Sequence, residues 1–398
     1  MSTLGKRVAV VGGGPAGLRA AEVASAAGLS VTLYEGKRSV GRKFLVAGKG
    51  GFNITHSEEV DTFVTRYRGP EQAEKFWSQA LAGFTNQETR GWAARLGVGT
   101  FVARNGRVYP KALKAAPLLR AWVKRLREQG VVFEMNHRLV HLQKEETFQL
   151  GFENGQFAEA DAVVLALGGG SWPQTGSDGG WMEWLSALGL KVQPLVGANC
   201  GWEVAWPEEL LQAHEGEALK NLQLRAGEEE ALGELVWTRY GLEGGPVYQL
   251  GPALRQMENP ILEIDFKPAL TEEKLIAKME SARRNFLDEA RVRWKLSEEV
   301  CAVLEWLGGP FESAEQLAEA TKRCQLPLLG PRSVEEAISS AGGVAWDELD
   351  TQLMVKKFPG LFLAGEMIDW EAPTGGYLMQ GCLATGTLVG KAVEEYLS

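Results

Sequence analysis

Hydrophobic positions change their period several times along the chain, and each change marks an element. Arg7–Val11 is a continuous β-branched and apolar run, suited to a buried parallel strand. The next segment places small or apolar residues at Leu18, Ala21, Val23, Ala24 and Ala27 and stops at Gly28, which predicts a helix. Ser30–Tyr34 returns to strand character. Farther on, Leu118, Leu119, Trp122, Val123 and Leu126 share one face of a helix predicted over Ala116–Gln129, with Gly130 as its stop. Strand Val131–Met135 follows. The residues up to Ala160 then alternate as strands do, with Asn154-Gly155 marking a tight hairpin. A small antiparallel meander is therefore expected before the next core strand, Ala162–Leu167.

Between the first strand and the first helix lies Gly12-Gly13-Gly14-Pro15-Ala16-Gly17, which fits G-x-G-x-x-G. Gly12 permits the tight turn, Gly14 lets backbone approach a pyrophosphate, and Gly17 lets the helix pack close to the strand. Pro15 suits a first helical turn, where its missing N–H costs nothing. Glu35 ends the second strand, where an acid binds the two hydroxyls of an adenosine ribose and repels a 2′-phosphate. Strand, glycines, helix, strand and acid in register point to a dinucleotide; NAD and FAD share the half that this unit would hold.

Near the other end of the chain the theme returns. Strand Gly360–Ala364 runs into Gly365-Glu366, and Pro373-Thr374-Gly375-Gly376 opens a helix of small residues, Gly381, Ala384, Thr385 and Gly386 among them. Such an opening presents free N–H groups to an anion. Gly168-Gly169-Gly170 ends the Ala162 strand. Gly41–His56 mixes Gly41, Gly48, Gly50 and Gly51 with Arg42, Lys43 and Lys49, and reads as flexible backbone wrapped around a ligand; it lacks the Lys-Ser/Thr of a P-loop.

The middle carries no nucleotide signature. Residues 191–268 read as strand-like, with turn signals at Gly197, Gly241, Gly244-Gly245 and Asn259-Pro260. From 270 to 328 the pattern turns helical, clearest over residues 271–294, where Leu275, Ile276 and Met279 are packing positions. The expected organisation is a nucleotide-binding domain in two parts, 1–190 and 333–398. Between them come an inserted β subdomain at 191–268 and a helical subdomain at 269–332.

Composition narrows the classes. Hydrophobic residues make up 45% of 398 positions, enough for a sizeable core, and the net charge is −9 with no basic run, which argues against nucleic acid as a partner. The apolar stretches are too short to cross a bilayer. Six residues before the first strand leave no room for a signal peptide, so a cytoplasmic protein is expected. Cys200, Cys301, Cys324 and Cys382 form no CxxC pair, and His56, His137, His141 and His214 make no metal set, so no metal site is expected.

Seven segments in order resemble the HI0933-like flavoprotein family, whose members are often described as NAD(P)/FAD-dependent or aminoacetone-oxidase-like. They are "VVGGGPAGLRAA", "GRKFLVAGKGGFNITH", "GRVYPKALKA", "ALGGGSWPQTGSDGGW", "GELVWTRYGLEGGPVYQL", "AISSAGGVAWDELD" and "PGLFLAGEMIDWEAPTGGYLMQGCLATG". The meander crossover also resembles flavoproteins of the glutathione-reductase type. The resemblance implies an α/β fold: a Rossmann-like FAD-binding domain whose inserted β subdomain carries a helical subdomain. It implies non-covalent FAD, the first glycine unit taking the ADP half and the last the riboflavin half, with the helix after Gly376 facing the N1/C2=O edge of the ring. The implied cofactor contacts are Gly12, Gly14, Pro15, Ala16, Gly17, Glu35, Gly36, Arg42, Lys43, Gly48, Gly50, Gly51, Asn53, Arg138, Leu139, Ala166, Gly168, Gly169, Gly365, Glu366, Thr374, Gly375, Gly376 and Tyr377. Gly51-Phe52-Asn53 stands where the family commonly has Arg-Cys-Asn, and Tyr377-Leu378 where it mostly has Tyr-Asn. Both departures fall where the flavin ring is expected.

Because the flavin carries hydride chemistry, few protein groups are needed. The candidates are Lys43, Asn53, Tyr377 and Tyr240, the last as a proton donor from the insertion. The leading expectation is an FAD-dependent oxidoreductase acting on a small organic molecule, with NAD(P)H as a transient co-substrate or oxygen as second partner. The alternative is an FAD-binding regulatory or sensor protein without turnover. An FAD-dependent RNA-modifying enzyme fits the acidic charge balance less well.

Overall fold

The computed structural model describes residues 5–47 and 51–398. Two compact units emerge: residues 1–196 with 339–398, and residues 197–338.

The first unit is built on a five-stranded parallel sheet in the order Leu361–Leu363, Ala162–Leu165, Arg7–Val11, Ser30–Glu35, Val132–Met135. Val8, Val10, Val163, Val164 and Phe362 are at most 1% exposed, as a sheet covered on both faces requires. The first helix, Pro15–Ala26, returns the chain from the glycine turn to the second strand. The last helix, Tyr377–Leu397, lies against it so closely that a Cβ on Gly386 would stand 2.4 Å from the carbonyl oxygen of Ala16.

Glu22 ties further helices to this pair. Its buried carboxylate accepts the indole N–H groups of Trp92 and Trp122, each at 3.0 Å, and pairs with Arg19 at 2.8 Å and Arg125 at 3.3 Å. A buried charge persists only with such a set of partners. Trp92 lies on helix Asn86–Arg95 and Trp122 on helix Ala115–Glu128, so one carboxylate holds three helices together.

Between Val132–Met135 and Ala162–Leu165 the chain forms an antiparallel meander of Leu139–Lys144, Phe148–Phe152 and Phe157–Ala160. The expected hairpin closes at Gly155, whose φ is +82°. A second small sheet pairs Thr55–His56 with Arg107–Pro110, and that strand with Thr100–Val102.

The second unit carries a seven-stranded antiparallel sheet, with Ala218–Ala226 and Glu229–Thr238 as its long hairpin. Two strand expectations need correction here. Gly244-Gly245 opens a helix, Gly245–Arg255, with Pro246 in its first turn where the missing N–H is harmless. Glu208–His214 is also helical. The amphipathic stretch 271–294 is broken, not continuous: Glu272–Lys278 ends, Asn285 takes φ +52°, and Phe286–Ala290 starts afresh. These helices and the two that follow, Glu298–Gly308 and Ala314–Lys322, share one core with the sheet, Leu275, Trp294, Leu304 and Leu317 packing with Trp202, Trp237 and Leu262. Strands Cys324–Pro327 and Gly330–Pro331 then return to that sheet. Among the described residues no helix is long and apolar enough to cross a membrane.

Candidate functional site

The glycine turn after the first strand is fixed by sterics. Gly12 has φ +108°, and a Cβ there would lie 2.2 Å from the carbonyl oxygen of Ala166. A Cβ on Gly17 would lie 2.0 Å from the carbonyl oxygen of Gly12, so the helix can begin only where no side chain intervenes. Gly14, the N-cap, is different: nothing stands within 4 Å of its Cβ position. That open side faces a cavity.

Glu35 closes one end of this cavity. Its Oε2 accepts the N–H of Gly13 at 2.9 Å and its Oε1 that of Lys37 at 2.8 Å. Burial raises the pKa of this carboxyl, while the two backbone donors pull it down. A carboxylate offers about four lone-pair sites, so two backbone bonds leave room for two ribose hydroxyls.

From Glu35, Gly36 and Lys37 the cavity, about 310 Å³, extends past Gly12–Ala16, Arg42, Lys43, Arg138, Leu139, Ala166 and Gly168 to Gly365, Glu366 and Cys382. Most of the predicted contacts thus line one continuous space, although they come from five separate chain segments. Gly17 and Gly169 stand behind the wall: Gly169 leaves no room for a Cβ, which would fall 1.7 Å from Ser340 Oγ. The segment read as flexible opens instead with a short helix, Arg42–Val46, which carries both cations into the cavity wall. Gly48 and Gly50 lie outside the described residues. Thr175–Asp178, Trp181 and Trp184 also line the space and were not anticipated. Asp178 receives Arg138 at 2.6 Å, a partnership 40 positions apart with no local signal.

Lys43 is held by two partners, Ser171 Oγ at 2.5 Å and Glu366 Oε2 at 2.9 Å. Glu366 Oε1 accepts the N–H of Ser340 at 2.9 Å. The last glycine unit therefore delivers its acid to a cation from the first quarter of the chain.

Thr374, Gly375, Gly376 and Tyr377 do not line this cavity; they sit beside the small sheet. Gly376, the N-cap of the last helix, has φ +105°, and its Cβ would lie 2.5 Å from the backbone of Thr55. Tyr377 stacks on His56 with ring centres 5.4 Å apart and donates its hydroxyl to Glu58 at 2.7 Å. Burial, and then Glu58, push this phenol far above its ordinary pKa. Burial raises Glu58 in turn, but hydrogen bonds from Arg66 and Tyr377 hold its carboxyl below the usual range. Glu58 and Arg66 went unread in the sequence because their partner lies 319 positions from Glu58. Tyr240 belongs to the second unit, where its hydroxyl donates to Glu243 and Arg332 lies over its ring at 4.3 Å.

Several donors in the first unit have no partner of their own. Arg42 Nε, Asn53 Nδ2 and Thr55 Oγ1 are buried and bond to nothing among the described residues. Orphaned donors of this kind cost about 1–3 kcal/mol each unless a ligand takes them. Of these only Arg42 lines the cavity, and with the open face of Gly14 and the carboxylate of Glu35 it suits a ligand with a ribose and a diphosphate.

A protein from Clostridium scindens, "3-dehydro-bile acid delta(4,6)-reductase", is 28% identical over 98% of this chain and 99% of its own length. "Ribosomal RNA dihydrouridine synthase" of Escherichia coli is 25% identical over 93% and 94%. Among solved structures, 3-ketosteroid-delta4-(5alpha)-dehydrogenase from Rhodococcus jostii RHA1 is 17% identical and covers 98% of this chain and 97% of its own. Its TM-score of 0.54 shows a shared fold. The HI0933-like protein Rossmann domain matches residues 6–392. The parallel sheet, its glycine turn and nearly the whole length of the chain fall within that match, and the chain belongs to the HI0933-like family.

Proposed function

We propose that the chain is an FAD-dependent oxidoreductase that moves a hydride between the cofactor and a small, largely apolar organic molecule, with NAD(P)H as second partner. The observation that carries this reading is the single cavity running from the carboxylate of Glu35 to that of Glu366. It has a ribose acceptor at one end, unpartnered Arg42 Nε buried in the same unit, and two glycine units contributing to its wall.

The names of the relatives suggest the bond acted on. A 3-dehydro bile acid with delta(4,6) unsaturation and a uridine ring share one feature, a carbon–carbon double bond conjugated to a carbonyl. We take reduction of such a bond as the reaction, which requires NAD(P)H, not oxygen, as the second partner. The bound flavin, once reduced by two electrons from NAD(P)H, would supply the hydride to the β carbon, while a proton adds to the α carbon. The chain's residues bind and orient: Glu35 holds the ribose, Gly14 and Arg42 the diphosphate, and Lys43 keeps Glu366 fixed beside it. The N-terminus of the last helix favours negative charge by about 0.3–1 kcal/mol, or ~2 when partly buried.

A second reading, reduction of a pyrimidine within RNA, is favoured by the Escherichia coli relative. The net charge of −9 weighs against it. Heat release of the chromophore from purified protein tests the first reading: stoichiometric FAD supports it, and a protein that carries none after incubation with FAD refutes it. Protection of the reduced cofactor's electrons against a small enone, but not against RNA, would favour the second.

A further inference from the structure

Arg107 is left over when the charges around the last helix are paired. It opens the strand Arg107–Pro110 and stands in register opposite His56, so the two side chains share one face of the small sheet. His56 on that face stacks on Tyr377, the first residue of the last helix. Arg107 itself reaches Gly375, its Nε lying 3.6 Å from the position of a Cβ there. Arg107 is partly buried; its backbone N–H donates to Asn105 Oδ1 at 3.3 Å, and among the described residues its guanidinium has neither a hydrogen-bond nor an ion-pair partner.

The neighbouring groups explain why it stays free. Glu58 is the carboxylate of this corner, and it is occupied by Arg66 at 3.0 and 3.1 Å and by the hydroxyl of Tyr377. His56 Nε2 donates to the carbonyl oxygen of Asn105 at 2.9 Å, and its Nδ1 accepts the N–H of Glu58 at 3.3 Å. Both ring nitrogens of His56 are thus engaged, and its Nδ1 also lies 3.9 Å from Glu58 Oε2. A partly buried cation beside a helix N-terminus is arranged for negative charge on an oxygen.

We propose that Arg107 receives the charge that develops on the substrate's carbonyl oxygen as the conjugated double bond is reduced. This rests on the reduction proposed above. Hydride addition to the β carbon moves the electron pair of the double bond onto the carbonyl oxygen, giving an enolate; protonation at the α carbon returns that pair to carbon and restores the carbonyl. Arg107 bonds to the oxygen throughout and takes no part in the electron count. A planar fork of donors suits this task better than a lysine point charge.

The test is binding of 4-nitrophenol, whose phenolate imitates an enolate oxygen, against its neutral ether 4-nitroanisole. Both are titrated into FAD-loaded wild-type, Arg107→Gln and Arg107→Lys proteins, with FAD content and melting temperature measured alongside. Arg107→Gln is expected to keep its FAD and its affinity for the ether, and to lose about 10- to 100-fold in affinity for the phenolate. The apparent pKa of the bound phenol should rise in that variant, and Arg107→Lys should restore part of the loss. Equal phenolate binding by Arg107→Gln overturns the proposal, as does a wild type that binds phenolate no better than ether. A lowered flavin potential in Arg107→Gln with unchanged phenolate binding overturns it too, assigning the charge to the ring instead. Wild-type protein that takes up no FAD is a separate result, which refutes the function on which the proposal rests.

Discussion

Lys43 and Glu366 stand 323 positions apart and meet at 2.9 Å. The pair joins the short helix after the second strand to the turn after the last one, beside the same cavity. Both side chains are largely buried, at 27% and 13% exposure, so removing one partner leaves an uncompensated charge.

Lys43→Met is therefore expected to destabilise the protein by more than the double variant Lys43→Met/Glu366→Gln does. A double-mutant cycle in denaturant should give a coupling of about 1–3 kcal/mol. Additive effects would show that the pair is incidental.

Gly12 and Gly14 should separate fold from ligand. Gly12→Ala drives a Cβ into the carbonyl of Ala166 at a positive φ, and a loss of about 2 kcal/mol or more is expected. Gly14→Ala meets nothing in the protein, so its FAD-free melting temperature should match the wild type while FAD retention falls. Full FAD retention by Gly14→Ala would mean that the ligand backbone does not approach this turn.

Glu35→Arg should lose most bound FAD, read as visible absorbance relative to protein absorbance. The substitution replaces the ribose acceptor and also frees the N–H of Gly13. A mutant that purifies with the wild-type FAD content would contradict the ribose assignment.

The acid limb of stability should depend on Glu58. Its folded pKa is depressed, so the unfolded chain takes up the proton first as pH falls. Stability from this group is complete above about pH 4.3 and is lost as pH drops through the folded value. Melting curves taken between about pH 5 and pH 3 should fall less steeply for Glu58→Gln than for wild type. Parallel limbs would show that Arg66 and Tyr377 do not set the carboxyl's ionisation.

What the sequence revealed depended on how locally each feature is encoded. The first strand, the glycine turn, its helix and Glu35 are contiguous, and their pattern could be read nearly residue by residue. The meander was legible because period-two alternation and Asn154-Gly155 lie side by side. The helix at Gly245–Arg255 was hidden, since its Gly-Gly-Pro opening carries the same signal as a turn. The break within 271–294 left no mark on a smooth helical period. Glu58, Arg66 and Arg107 could not be found at all from local pattern: their roles come from the small sheet meeting the last helix, and that meeting spans some three hundred positions.

The central claim, that the bound flavin reduces a conjugated carbonyl compound, is tested most directly by an anaerobic visible spectrum. The FAD-loaded protein is bleached with NADH or NADPH, or with dithionite if neither acts, and then mixed with 4-androstene-3,17-dione or a 3-oxo bile acid carrying the same unsaturation. Return of the visible bands without oxygen is the predicted result. Bands that stay bleached with every such acceptor, and return only when air is admitted, would contradict it.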